Sequence, residues 1–498
     1  MKKSFLLASL ITATAIAAGT TGKLTFESNA KADFSTKTEL NKPTFSLFGN
    51  STLKTTNTHT AAIENVSVSA EVTLKDTGLS FGGTFKAKDL VIFTDKKNSN
   101  GQLEPENKKL TEILNDVNAW AKYELPQMND VNSYLKLTYK NLNKVNFEGD
   151  INYNVNGVKI GLTSNTTLPI VYTETNDFGS TIESEHKVYV TSNEISVLND
   201  VNAEVKIANT YNKINVAQDG TVDVKEVLKK GIKFVSGSAK VKYNKVEGLD
   251  LNANANFKFN FSDTKLEFKH EDEKLFQEFN GNFMHDYNFN ATYTGLKNAK
   301  FVFSPFFAHL GLPVPVAQNN LLSNIFSIFG NSSDPKEKKD FRKSSDVIIY
   351  GTKAAVGYVS DIFELTATAK IARQTKIDID EEKENENDKK KYTNSEYYAL
   401  GSEAKLFVTN NLTVTPEFKA TVKTNEVVNL EQLTLTPKIS SEYAATSDLT
   451  LKGSVEFPVE LGKINNYVEE NNKIKENGQK LGYKSNSVKA KLNIEYKW

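Results

Sequence analysis

The feature that most limits what this chain can become is a side-chain alternation of period two that recurs almost from end to end. In GLDLNANANFKFNF, Leu249, Leu251, Ala253, Ala255, Phe257, Phe259 and Phe261 share one parity, and Asp250, Asn252, Asn254, Asn256, Lys258 and Asn260 share the other. Only a β-strand has that period, so each such run has one oily face and one wet face. The same pattern is found in NVSVSAEVTL, KVNFEGDINYNV, DVNAEVKI, NNLTVTPEFKATV, SDLTLKGSVEF and the terminal SNSVKAKLNIEYKW. Each run lasts about 9 to 13 residues, the span a tilted strand needs to cross a bilayer.

The joints between runs fall into two kinds. Short ones such as YNKVEGL, YTGLKNA, YVSDIF, YAATSDL and YKNLNKV follow Tyr243, Tyr293, Tyr358, Tyr443 and Tyr139. Each puts a tyrosine at a strand end, then a few polar or turn-forming residues, then a new strand. The long ones are charged: HEDEKLFQE after His270, IDIDEEKENENDKKKYTN after Lys376 and NNYVEENNKIKENGQK after Ile464. Short turns at one end and long loops at the other describe an up-and-down antiparallel meander with two unlike rims. The five tyrosines would then form a girdle at the short-turn rim. From Val131 onward the parity gives roughly seventeen strands. ENKKLTEILNDVNAW, further upstream, fits either a loop helix or a strand with a turn. The expected fold is all-β, a transmembrane up-and-down barrel of about 20–24 strands.

The ends and the composition agree. MKKSFLLASLITATAIAAG has a basic start, an apolar run and a small-residue site at Ala15–Ala17, the form of a Sec signal peptide. The expected division is residues 1–18 as signal and 19–498 as a single barrel domain. Removing residues 1–18 takes two lysines and no acids from 61 basic and 61 acidic residues, so the remainder carries 59 − 61 = −2. A near-neutral chain lacks the concentrated basic surface of nucleic-acid binders. With no cysteine there is neither a disulfide framework nor a thiolate metal site. A soluble sandwich would also alternate, but it requires neither two unlike rims nor tyrosine-marked turns. An open sheet of so many long strands would also carry hazardous edges.

These residues resemble Gram-negative outer-membrane β-barrels, porin-like ones in particular, over essentially the whole chain after residue 18. The resemblance places the protein in the outer membrane, in contact with lipid. It implies that Leu492, Ile494, Tyr496 and Trp498 form the C-terminal signal read by the barrel-assembly machinery. Phenylalanine is the more usual last residue of that signal.

Residues of the wet parity should line the lumen: Lys240, Lys242, Asp250, Asn252, Lys258, Glu364, Lys370, Glu403, Lys405, Lys489, Lys491 and Glu495. A mixed-charge wall suits water and small hydrophilic solutes. At about 20 strands side chains alone cannot fill the interior, so water, a loop or a plug must. FFAHLGLPVPVAQNNLLSNIFSIFGNSSDP, from Phe306, is too apolar for an outer loop. Leu321, Leu322, Ile325, Phe326 and Phe329 would share one side of a short helix and constrict the lumen or cover its mouth.

No HExxH, GxSxG or GxxxxGKS/T motif occurs, and the five histidines lack metal-ligand spacing. His285 falls on the lipid parity without a serine two residues on, which favours a histidine tucked among outer aromatics. The expectation is a porin-like channel without catalysis, metal or cofactor, with homo-oligomerisation left open. Two alternatives stand beside it: a barrel that anchors an adhesive or structural surface, and a transporter of apolar ligands using residues 306–330.

Overall fold

The structure is a computed structural model. It describes residues 21–41, 52–88, 92–97, 103–105, 114–140, 144–169, 182–195, 198–211, 232–271, 273–276, 279–311, 343–380, 390–425, 429–470 and 473–497. The expected signal at 1–18, the candidates Leu321, Leu322, Ile325, Phe326 and Phe329, and Trp498 lie outside the described residues.

Successive staves pair antiparallel around one sheet and the last returns to the first, while the short Ile92–Lys97 and Leu103–Pro105 pair with Thr52–Thr73 and with each other between the third and fourth staves. Lys473–Lys497 lies against Thr21–Asn41 from Lys23↔Lys497 and Leu24↔Tyr496 to Ser35↔Ser485. That pairing closes a barrel of 20 staves. Closure satisfies every ladder hydrogen bond and leaves no edge, which lipid demands. Four staves precede Val131 and sixteen follow it, so the expected total holds at its lower bound. The ambiguous upstream stretch is strand over Leu114–Glu124. The penultimate stave is broken once, between Leu449–Glu456 and Val459–Glu470. Pro458 interrupts it there because it has no N–H to give the ladder. Its own carbonyl still accepts from Ser487 N at 3.0 Å.

The oily parity faces outward. Leu135 (61% exposed) and Ile151 (53%) on two adjacent staves, and Leu400 (66%) on a distant one, share the apolar parity of their strands. Leucine and isoleucine exposed at that level on stave after stave belong in hydrocarbon, since soluble surfaces do not carry an apolar belt of this extent.

The short-turn rim is built by tight turns. Asn156 (φ 50°) and Gly157 (φ 80°) close Val155↔Val158 as a two-residue type I′ hairpin. Tyr243, Tyr293, Tyr358 and Tyr443 stand at this rim, and Tyr123, Tyr153 and Tyr496 join them. Tyr139 does not. It pairs with Val145 next to residues 141–143, at the opposite end of Val131–Lys140. The three-residue joint there looks like a short turn in sequence, but it belongs to the long-loop rim. Two of the expected long loops are also largely strand. Val459–Glu470 and Lys473–Lys497 extend as one hairpin, paired up to Glu470↔Lys473. Phe363–Asp380 and Lys390–Thr409 stay paired to Ile379↔Lys390. Strands of 18 to 25 residues exceed the 9–11 needed to cross, so the wall projects beyond the bilayer on that side.

Candidate functional site

The third expected loop, HEDEKLFQE, does not project outward at all. After Leu249–Leu266 the chain makes a small turn of Lys269–His270 against Glu273–Lys274, with Glu271 at φ 54° at its tip. It then rejoins the wall at Phe279–Tyr293. Leu266, Phe268 and Leu275 are buried, Leu275 completely. They pack on an apolar plaque built from four adjacent staves: Phe306, Ala308 and Leu310; Val347 and Ile349; Ala372; and Tyr397 and Ala399. The plaque lies on the inner wall. Its neighbours of the other parity, Phe307, Tyr350, Ile371 and Tyr398, are all exposed on the outside. Residues 267–271 and 273–276 therefore belong to an inward segment resting inside the barrel. A water-filled lumen gives this contact a hydrophobic driving force that the lipid face lacks.

Polar contacts tie the segment down. The His270 ring stacks on Phe306 at 4.1 Å between centroids, and Phe268 meets the same ring at 5.6 Å. Lys370 Nζ donates to the His270 carbonyl at 3.3 Å, and Lys353 pairs with Glu271 at 2.6 Å. Gly351 leaves the room this needs, because a Cβ there would meet the Phe306 ring at 2.6 Å and the Ile371 carbonyl at 2.3 Å.

The expected loop from Phe306 begins later than the sequence suggests, and its candidates Leu321, Leu322, Ile325, Phe326 and Phe329 lie outside the described residues. Phe306–Gly311 are not loop but the last part of the wall strand Ala299–Gly311, and Phe306 supports the inward segment. Among the described residues, 267–271 and 273–276 are the ones that lie against the inner wall. The signal was present in the sequence. FVFSPFFAHL and VIIY are apolar at both parities, as strands buried on both faces are.

The twelve lumen candidates share the parity of the plaque or of its neighbours across the ladder. Lys370 touches the inward segment, and Glu364 lies on the same face of the same stave. Lys405 and Glu403 share parity with Tyr397. Lys242 pairs with Asp250 at 3.4 Å, and Asn252 donates to Asp250 at 3.1 Å. Lys258 stands over the Phe234 ring, and Lys240 faces Asn254 across the ladder. Glu495 pairs with Lys23 at 2.8 Å and Lys497 at 3.2 Å, and Lys489 with Glu456 at 3.2 Å. Lys491 lies opposite Asn29. On the outer face, Leu492, Ile494 and Tyr496 form one oily row against Ser28, Phe26 and Leu24.

A second polar cluster on the distant wall was missed, although Glu148, Asp150 and Asn152 stand at period two in KVNFEGDINYNV. Asp150, almost fully buried, accepts from Asn152 at 2.6 Å, Thr163 at 2.7 Å and Tyr189 at 3.0 Å. Tyr134 donates to Glu148 at 2.5 Å, and Lys187 stands 5.1 Å over the Tyr189 ring. His285 is indeed tucked among outer aromatics. It pairs across the ladder with His309, Nε2 to Nδ1 at 3.3 Å, beside Phe283, Tyr287 and Phe307. Among the described residues no cluster of acids and histidines has the makings of a metal site.

A closed antiparallel wall, oily outside, polar inside and longer than a bilayer is thick, decides the class. The chain is a transmembrane up-and-down β-barrel of 20 staves.

No protein-family model matches the chain, and no curated protein matches it. Among solved structures it is similar to OmpT, an outer-membrane protein of Vibrio cholerae in its trimer form (9% identity, TM-score 0.31, 96% of this chain and 99% of that one). It is also similar to Acinetobacter baumannii OccAB3 (8%, 0.37, 97% and 100%) and to an anion-selective porin from Comamonas acidovorans (8%, 0.29, 96% and 100%). Scores this low carry no argument, and the barrel's own closure and outward belt carry the class.

Proposed function

We propose that this barrel is a passive channel for small hydrophilic solutes and ions, without catalysis or a cofactor. The observation that carries the reading is that, among the described residues, the inward segment covers one side of the inner wall and leaves a cavity beside it. Between that segment and the wall of Lys240, Asn252, Asn256, Asp286 and Ser304 lies a cavity of about 490 Å³ that carries these polar groups beside apolar ones such as Phe268 and Met284. Water and solute can pass such a wall, because its hydrogen-bonding groups replace those of bulk water. Export through the Sec route, cleavage near Ala17 or Ala18 and insertion by the barrel-assembly machinery belong to the same proposal. The apolar-ligand alternative loses part of its basis, since Phe306, Ala308 and Leu310 are already covered by the inward segment.

Purified protein in a planar bilayer tests this reading. Stepwise unit conductance is expected. A bilayer that stays silent while the protein is shown to be inserted would favour an anchoring or adhesive role instead.

A further inference from the structure

The cavity beside the inward segment has an unusual wall. The ladder between Leu249–Leu266 and Phe279–Tyr293 sets Asn252 opposite Asn290, Asn254 opposite Asn288 and Asn256 opposite Asp286. Five amides and one carboxylate thus form a flat array of three cross-strand pairs, all on the lumen parity and all lining the one cavity. Most of the charge around it is already matched. Glu267 pairs with Lys269 at 2.8 Å, Glu271 with Lys353 at 2.6 Å, and Lys242 with Asp250 at 3.4 Å. Asp286 accepts from Asn256 at 2.8 Å and Asn288 at 2.9 Å, which orients both amides. Asn290 is likewise fixed by its 2.9 Å bond to Ser304. At the centre, Asn254 makes no side-chain hydrogen bond among the described residues, and Lys240 beside it makes no ion pair among them. The array therefore presents pre-oriented amides around one free amide and one free ammonium.

We propose that this cleft is a binding subsite for neutral polyhydroxylated solutes, short saccharides above all. A carboxamide offers a donor and an acceptor side by side, which matches a pair of neighbouring hydroxyls. An array held by its own hydrogen bonds loses little conformational freedom when it binds. A cavity of about 490 Å³ lies within the roughly 300–1,000 Å³ of small-molecule sites. An ionic ligand would meet two unpaired charges of opposite sign, the Lys240 ammonium and the Asp286 carboxylate, whereas hydroxyls can use every amide. The proposal deepens the channel reading by naming a substrate class for the same lumen.

The test uses the full-length protein in a planar bilayer with maltotriose on one side. A saturable, partial block of the current is expected. The double variant Asn254→Ala/Asn288→Ala should raise the half-blocking concentration about tenfold, at roughly a factor of two to ten per lost hydrogen bond. Asn132→Ala, on the distant wall, should leave it unchanged. Conductance without saturable block, or block indifferent to the double variant, would overturn the subsite while leaving the channel intact. Equal block by a linear dicarboxylate of similar length would overturn the saccharide class. If the bilayer is silent, the channel reading fails and calorimetry of maltotriose with the detergent-solubilised protein decides the subsite. Heat that the double variant abolishes would sustain it, and no heat would end it.

Discussion

Leu275 is the point at which the inward segment can be released most cleanly. Three buried apolar side chains dock on the inner plaque, Phe268 and Leu275 of the inward segment and Leu266 at the strand end that leads into it. At about 1.5–3 kcal/mol each they supply roughly 5–9 kcal/mol of docking. The Lys353–Glu271 pair is partly exposed and is worth about 0–1 kcal/mol. Apolar contact therefore dominates, and it must offset the ordering of the segment at about 1–2 kcal/mol per residue for the backbone. Against that narrow balance Leu275→Ala removes about 2–5 kcal/mol. Even about 2.8 kcal/mol changes the docked-to-free ratio a hundredfold. Leu275→Asp goes further, because an unpaired carboxylate cannot be buried against Tyr397 and Leu310. Single-channel recording should show a flickering current for Leu275→Ala and a steady, higher level for Leu275→Asp. Lys353→Ala should resemble the parent. If Leu275→Asp conducts at the parent's level with the parent's noise, the segment does not constrict the path and the argument fails.

Three further outcomes follow from the wall itself. Leu400 faces outward opposite Ala369, several residues from either rim, so Leu400→Arg should destabilise the folded barrel by about 2–4 kcal/mol in urea titrations of vesicle-embedded protein. Thr368→Arg, on the lumen parity beside Gly401, should cost little, and equal losses would refute the assignment of faces. Gly157→Val should cost about 1–2 kcal/mol through its φ of 80° alone, since a Cβ there meets nothing within 4 Å. A neutral substitution in the same titration would refute the type I′ turn. Lys258→Glu with Lys405→Glu should move the reversal potential in a salt gradient toward cation preference, and an unmoved potential would place those lysines outside the ion path.

The outward face was legible in the sequence because lipid tolerates no exception over the height of the belt. That requirement writes an unbroken period of two into nearly every stave, and with it the parity of all twelve lumen candidates. Closure was legible for the same reason, since an open edge of this length could not survive in a bilayer. The rims were less so. Turn length identifies a rim only if the other rim has no closely joined strands, and there the ladders run on to Lys140↔Lys144 and Asn425↔Asn429. Tyr139 was therefore assigned to the wrong end. Yet its outward direction was right, because direction depends on parity and not on turn length.

The interior was the least legible part, and for a definite physical reason. A lumen wall in water can be polar, or it can be apolar wherever something covers it, so alternation imposes no single rule there. Where the wall is covered, as at Phe306, Ala308 and Leu310, the alternation vanishes, and the sequence takes on the look of a loop or a soluble core. Its cover is disguised in turn. HEDEKLFQE is charged at most positions and hides its one indispensable leucine among them. Plaque and cover become recognisable only as a pair: a doubly apolar stave and, some thirty residues earlier, a polar loop with apolar residues at a few positions. In a barrel too wide for its own side chains to fill, each doubly apolar stave calls for such a partner. Residues 267–271 and 273–276 are the partner here, and their position on one side of the wall leaves the cavity with its asparagine array beside them.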